Sequence, residues 1–186
     1  MKMIRKHFEI TKEDILAGKY YPQSLIDPLW WSVSIYDGKE KYEKDLAPFT
    51  SSQRAIFAVQ WYEAEVSNGG HDQFLCNSTG IVWEDALKGF ELIGADKCAE
   101  ILRDVIKKCG GSIPFEREER EELLDRITLN PDDEDEPIDL FEENDSEYYD
   151  VKDELDSLIM AYVKAHVDDL YLSAMLKYRK TFSDFL

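Results

Sequence analysis

The sequence predicts an all-α fold: one compact multi-helix domain with short N-terminal helices and an acidic inter-helix segment. Three observations carry this expectation. Apolar residues recur mostly at helical spacing and strand-type alternation is scarce. Hydrophobic residues make up 44% of the chain and aromatics 12%, which supports a packed core. At 186 residues, a single domain buries roughly 70% of its unfolded-chain surface and needs no disulfide or metal staple.

Residues 1–50 read as short helices separated by turns. In "TKEDILAG", Thr11 is placed to cap and Gly18 to stop. In "IDPLWWSVSIYDG", Asp27 is the expected cap, Pro28 the first helical position and Gly38 the exit, with Trp30 and Trp31 as core anchors. His7 falls on a solvated N-terminal segment. Residues 51–111 hold the central helices. Thr50 and Gln53 form a capping-box pair ahead of a helix over 51–66 whose apolar residues lie on two sides, as in the middle of a bundle. "GIVWEDALKGFELIGA" and "DKCAEILRDVIKKCGG" follow as an antiparallel pair turned at Gly94, with Cys98 and Cys109 in core positions and Gly110-Gly111 at the exit. Residues 112–150 comprise a charged helix in "SIPFEREEREELLDRITL" and an acidic linker. Residues 151–186 hold an amphipathic helix, "DVKDELDSLIMAYVKAH", with Val151, Leu155, Leu158, Ile159, Tyr162, Val163 and His166 inward, then one more short helix over 168–186.

The stretch "YEAEVSNGGHDQFLCNSTG" concentrates residues of catalytic type, yet each has a structural use. Asn68 and Gly69 suit a helix end, Gly70 lets the chain reverse closely, and Gln73 can satisfy frayed backbone groups. As a hydrolase site it would need His71, Asp72 and Cys76 together. Neighbouring helical residues diverge by about 100°, so His71 and Asp72 do not face one another, and Cys76 is five positions away. The stretch reads as a joint, with no catalytic residue. No metal site is expected either: His7, His71 and His166 share no ligand spacing with each other or with the cysteines. An EF-hand started at Asp132 aligns Glu134, Glu136 and Glu143 but puts Pro137 where glycine must turn. No cofactor motif is present.

Charge is the other prominent feature. The formal net charge is −18, and residues 112–160 hold 20 acids against 4 bases. Direct nucleic-acid binding and anionic membranes are therefore disfavoured, and a basic partner is the natural counterpart. Candidate contact residues are Glu118, Glu119 and Glu122 on the charged helix. Asp132, Asp133, Glu134, Asp135, Glu136, Asp139, Glu142, Glu143, Asp145, Glu147 and Asp150 follow in the linker, then Asp153 and Glu154. Ile138, Leu140, Phe141, Tyr148 and Tyr149 interleave with these acids, so the segment can fold down onto the body. Three widely spaced cysteines read as reduced thiols, and no run is apolar enough for a membrane span. With no apolar signal region at the N-terminus, a cytoplasmic location is expected.

The motif "WYEAEVSNGGHDQFLCNSTG" followed by "EDALKGFELIGADKCAEIL" resembles the family named for the DNA-mimic protein DMP19. Its markers here are Trp61, Asn68, Gly69, Gly70, Gln73, Phe74, Asn77, Gly80 and Gly94, and "YYDVKDELDSLIMAYVKAH" is similar to the family's closing helix. The resemblance implies a helical fold and an acidic surface that occupies the DNA site of a basic partner such as a transcription factor. It carries over no catalytic residue. The protein would act as a monomer or homodimer. An immunity or antitoxin role against a basic nuclease needs the same kind of face, and sequence separates the two poorly.

Overall fold

The computed structural model describes residues 3–130 and 138–179. In chain order the elements are β1 (Met3–Ile10), α1 (Lys12–Leu16), α2 (Pro22–Ser32), α3 (Gly38–Leu46) and α4 (Ser51–Cys76). A 3-10 turn (Ser78–Val82) leads to α5 (Trp83–Ile93), α6 (Asp96–Lys108), α7 (Arg117–Ile127) and α8 (Glu142–Val151). A second 3-10 turn (Lys152–Glu154) leads to α9 (Leu155–Ala165), α10 (Val167–Leu170) and β2 (Leu172–Arg179). The domain is mostly helical, with a small two-stranded antiparallel sheet.

The helical fold class expected from the sequence holds, and the small sheet departs from it only at the two ends of the described chain. His7 is solvent-exposed, as expected, but on a strand, β1, where its Nε2 lies 3.2 Å from Ser173 Oγ on β2. Where a helix was expected over 168–186, α10 gives way after one turn to β2, and residues 180–186 lie outside the described residues. Ile10 pairs with Leu172 and Phe8 with Ala174, so one face of the ribbon turns to the core. Leu172 and Leu176 fit a helical i, i+4 spacing as well as a strand, so the pattern was ambiguous.

The early helices also differ in phase. Tyr21, not Asp27, caps α2, with Pro22 in its first turn, and Pro28 lies inside the helix. A proline there removes one helical hydrogen bond, a loss offset by burying Leu25, Ile26, Pro28 and Leu29. Gly38 opens α3 instead of closing α2. Thr11 caps α1 as expected, and the Thr50–Gln53 box caps α4 in both directions, at 3.2 and 3.0 Å. The two-sided apolar pattern of α4 has its predicted consequence: Ile56, Phe57, Val59, Tyr62 and Val66 are all fully buried. Gly94 ends α5 in a left-handed conformation, and Cys98 and Cys109 are core residues.

The expected joint is present: the helix begun at Ser51 is broken at Gly69 and Gly70, so α4 is two helical segments meeting at a bend. Gly69 and Gly70 leave helical geometry, Gly70 at φ 71° and ψ −171°, and the helix resumes through Cys76. The far end of α4 exposes carbonyls without helical partners. Two arginines of α7 take them. Arg117 Nε donates to Cys76 O at 2.9 Å. Arg120, buried to 1% exposure, donates from Nε to Leu75 O (2.8 Å), from Nη2 to Asn77 O (2.7 Å) and from Nη1 to Phe115 O (2.6 Å). A buried guanidinium is tolerable only when its donors are met, and the negative end of a helix is a favourable place for it. Burial still lowers its pKa to about 10. Gly80 makes room for it, since a Cβ there would lie 2.5 Å from Arg120 Nε and 2.9 Å from Phe74 O.

Replacing Gly80 by alanine is therefore expected to cost about 1–3 kcal/mol through overpacking. Urea unfolding of Gly80→Ala checks this, and an unchanged midpoint would show that the Arg120 contact is not tight.

Candidate functional site

The acidic segment described as a linker contains a helix. Residues 142–151 form α8, and 150–166 is not one helix but the end of α8, a 3-10 turn and α9. The period of α8 explains its seating. Phe141, Asn144, Asp145 and Tyr148 recur at helical spacing toward the body; Phe141 and Tyr148 are fully buried, Asn144 is 2% exposed and Asp145 partly buried. Glu142, Glu143, Ser146, Glu147 and Asp150 are exposed.

Two neighbours hold this inward face. From α6, Lys108 Nζ donates to Asn144 Oδ1 at 2.6 Å and to Leu140 O at 3.2 Å, while Asn144 Nδ2 donates to Asp104 Oδ2 at 3.1 Å. From the α4 bend, the His71 backbone N–H donates to Asp145 Oδ1 at 2.9 Å, and His71 Nδ1 bonds the same oxygen. The Tyr149 hydroxyl donates to Val66 O and Ser67 O at 3.2 and 3.1 Å, just before the bend. Gly70 is required by this arrangement twice over. Its φ is positive, and a side chain would overlap Asp145 Oδ2.

Asp145 is thus corrected from a surface contact to an internal anchor. An ionised carboxylate only accepts, so Nδ1 of His71 carries the hydrogen, and in the neutral ring Nε2 accepts from the Tyr62 hydroxyl at 2.5 Å. Burial pushes the Tyr62 pKa far up, so the hydroxyl keeps its proton. Tyr62 in turn meets Phe74, Phe90, Tyr148 and His71 edge-on, with centroids 4.9 to 5.6 Å apart, which ties α4, α5 and α8 together.

The remaining motif residues brace the bend. Glu65 Oε2 accepts from Gln73 Nε2 at 2.8 Å and Asn77 Nδ2 at 2.9 Å, and Asn68 Nδ2 donates to Gln73 Oε1 at 3.2 Å. Gln73 therefore acts through side chains across the bend, not on frayed backbone as expected. Trp61 stacks on Trp30 at 3.7 Å.

His71, Asp72 and Cys76 do not converge. His71 is fully buried with both ring nitrogens engaged, Asp72 makes no bond to it, and Cys76 is exposed. Partial burial raises the Asp72 pKa, with Asp139 and Asp145 adding to the effect. His166 faces outward, stacked on Tyr162, rather than inward. No group of three or more His, Cys, Asp or Glu among the described residues could hold a metal ion.

The exposed acids fall on separate surfaces. Between α6 and α8 runs a groove of about 600 Å³ lined by Lys97, Glu100, Asp104, Glu143, Glu147 and Asp150 among others. It continues into a cavity of about 350 Å³ that shares Lys97, Asp150 and Val151 and adds Asp96 and Glu154. Two rows of carboxylates therefore line one groove: Asp96, Glu100 and Asp104 on α6, and Glu143, Glu147, Asp150 and Glu154 along α8 and the turn after it. The Asn144 hydrogen bond lowers the Asp104 pKa, which favours the charged form of that carboxylate. The α6 row was missed because it lies outside the acid-rich span; its i, i+4, i+8 spacing was the available signal. Glu118 lines a different cleft, with Gly38, Phe115 and Arg120, on the same helix as Glu119 and Glu122. Asp139 caps Phe141 N at 3.2 Å, and Glu142 and Asp153 are exposed outside the groove lining. Asp132, Asp133, Glu134, Asp135 and Glu136 lie outside the described residues.

A family model for DMP19-like proteins matches residues 47–166, more than half of the chain. The chain belongs to the DMP19-like protein family. No curated protein and no solved structure matches it significantly. The matched span runs from the approach to α4 through the end of α9, so the DMP19-like region contains the bend, the Arg120 site and both walls of the acidic groove. The sheet, α1 to α3 and α10 fall outside it. Among the described residues no helix is long and apolar enough to cross a membrane.

If Asp145 anchors the acidic helix, Asp145→Ala should cost about 2–4 kcal/mol, because it strands a buried imidazole and a backbone N–H. Glu143→Ala and Glu147→Ala should stay within about 0.5 kcal/mol. Denaturant midpoints compare them directly, and equal effects at all three positions would contradict the anchoring role.

Proposed function

We propose that this protein is a binding protein whose α6/α8 groove presents duplex-like negative charge to a basic DNA-binding partner. One observation carries the reading: two rows of carboxylates face a common groove from helices fixed to the core on their inner sides. Residues at i, i+3 and i+4 of a helix stand about 5–6 Å apart. Along α8, Glu143 to Asp150 span roughly 10 Å at 1.5 Å per residue. Duplex DNA of that length carries about 6 charges, one per ~1.7 Å. Asp96, Glu100 and Asp104 on α6 with Glu143, Glu147 and Asp150 on α8, set against Lys97, give the groove a comparable line density.

Rigidity matters to this reading as much as charge. A mobile acidic tail would have to be ordered by its partner at an entropic cost, whereas a seated row meets a basic surface without that cost. Asp104 and Lys108 also pair within α6, so part of the charge is internally balanced and the outer row on α8 carries most of the field. Membership of the DMP19-like family agrees with such a role, and the partner would be a transcription factor or another basic protein that binds duplex DNA.

Capture of partners on immobilised protein, followed by elution with duplex DNA, tests the reading. Basic DNA-binding proteins should be retained and released by DNA. The combined change Glu100→Gln, Glu143→Gln, Glu147→Gln and Asp150→Asn should weaken retention about tenfold or more, and salt should act in the same direction. Glu118→Gln with Glu119→Gln on α7 should leave retention unchanged. Partners that are not basic, or that DNA fails to displace, would refute the proposal.

A further inference from the structure

Outside the acidic groove, the first half of the fold contains a cavity of about 420 Å³, within the usual range for ligand sites. Three of the chain's four tryptophans line it, Trp30, Trp31 and Trp61, together with Tyr36. Trp30 and Trp61 lie parallel, 3.7 Å apart with an interplanar angle of 11°, so each indole covers one face of the other and a ligand can add to the stack only at an outer face. Val33 and Ile35 are buried in its wall.

Two carboxylates enter the same cavity, and both are held by Ser34, itself 7% exposed. Ser34 Oγ donates to Asp37 Oδ2 at 2.6 Å, and the Ser34 backbone N–H donates to Asp45 Oδ2 at 3.1 Å. Each acid uses its Oδ2, which leaves Oδ1 for a ligand. Lys41 pairs with Asp45 at i, i+4 and offsets its charge, so Asp37 is the acid with the greater unmet charge. Lys177 stands on the lining from β2.

We infer that this cavity binds the guanidinium group of an arginine side chain presented by another polypeptide. An indole face is negative, and a guanidinium is planar, weakly hydrated and able to stack on it while donating to a carboxylate in its own plane. The cavity lining brings a stacked indole pair and two carboxylates together. An ammonium lacks the plane, and a neutral planar group lacks the charge. Most of the lining lies outside the span shared with the DMP19-like family, so the site belongs to this chain's own N-terminal elements and does not depend on the acidic groove.

The test uses the full chain and three small probes: acetyl-arginine amide, acetyl-lysine amide and acetyl-citrulline amide. Proton–nitrogen spectra follow the four indole N–H signals during titration. Acetyl-arginine amide should move the signals of Trp30, Trp31 and Trp61 saturably, leaving that of Trp83, which packs against Phe115 elsewhere. The lysine and citrulline probes should bind at least about fivefold more weakly. Asp37→Asn, a change at an exposed residue, should reduce arginine-probe binding by a similar factor without altering the thermal midpoint, and Lys177→Ala should leave it equal or tighter. A second titration with a five-residue peptide carrying one central arginine should bind at least as tightly as the amide; tighter binding of the free amide would overturn the polypeptide source. Equal binding of the citrulline probe, an unaffected Asp37→Asn variant, or no saturable response would overturn the site itself.

Discussion

Asp145 accepts two hydrogen bonds from a single residue, His71, and the placement of the acidic helix follows from that contact. The backbone N–H just past the bend in α4 and the imidazole beside it converge on one carboxylate oxygen. The imidazole passes the constraint to Tyr62, and Tyr62 passes it to the aromatic centre of the core. Without the bend at Gly70 there would be no room for the carboxylate, and without the carboxylate the first free N–H after the bend would lack this acceptor. The family motif and the acidic segment, which look like separate features along the chain, are two halves of one contact.

That contact also bears on a problem of charge. A helix carrying Glu142, Glu143, Glu147 and Asp150 beside a second helix carrying Asp96, Glu100 and Asp104 is under mutual repulsion, which salt screens only over about 8–10 Å. Burial of Phe141 and Tyr148 and the bonds through Asn144, Asp145 and Tyr149 oppose it. The fold thus holds like charges in a fixed array instead of letting them spread. On the proposed reading, a basic partner relieves the repulsion that the free protein sustains.

Much of this was legible in the sequence. The Thr50–Gln53 cap, the two-sided burial of α4, the core sulfurs and the turn at Gly94 all follow from local pattern, because each depends on residues within a few positions. What could not be read depends on long-range partners. Asp145 looks like any other acid in its run, and only its spacing with Phe141 and Tyr148 marks it as inward. Arg120 is one base among many charges, and its role depends on where the far end of α4 arrives. The α6 wall escaped notice because Asp96, Glu100 and Asp104 stand among lysines that neutralise the local count. The sheet was missed because each strand is meaningless alone, and its partner lies at the other end of the chain.

Amide hydrogen exchange across residues 142–151 tests the central claim most directly, namely that the acidic helix is an integral part of the core. If Asp145 and its neighbours seat α8, the inward amides should exchange only through global opening, at the same free energy as those of Phe74 and Leu75 beyond the bend. Exchange near the rate of an unstructured chain, while α4 remains protected, would mean that the acids ride on a loose arm and that the fixed double row does not exist in solution.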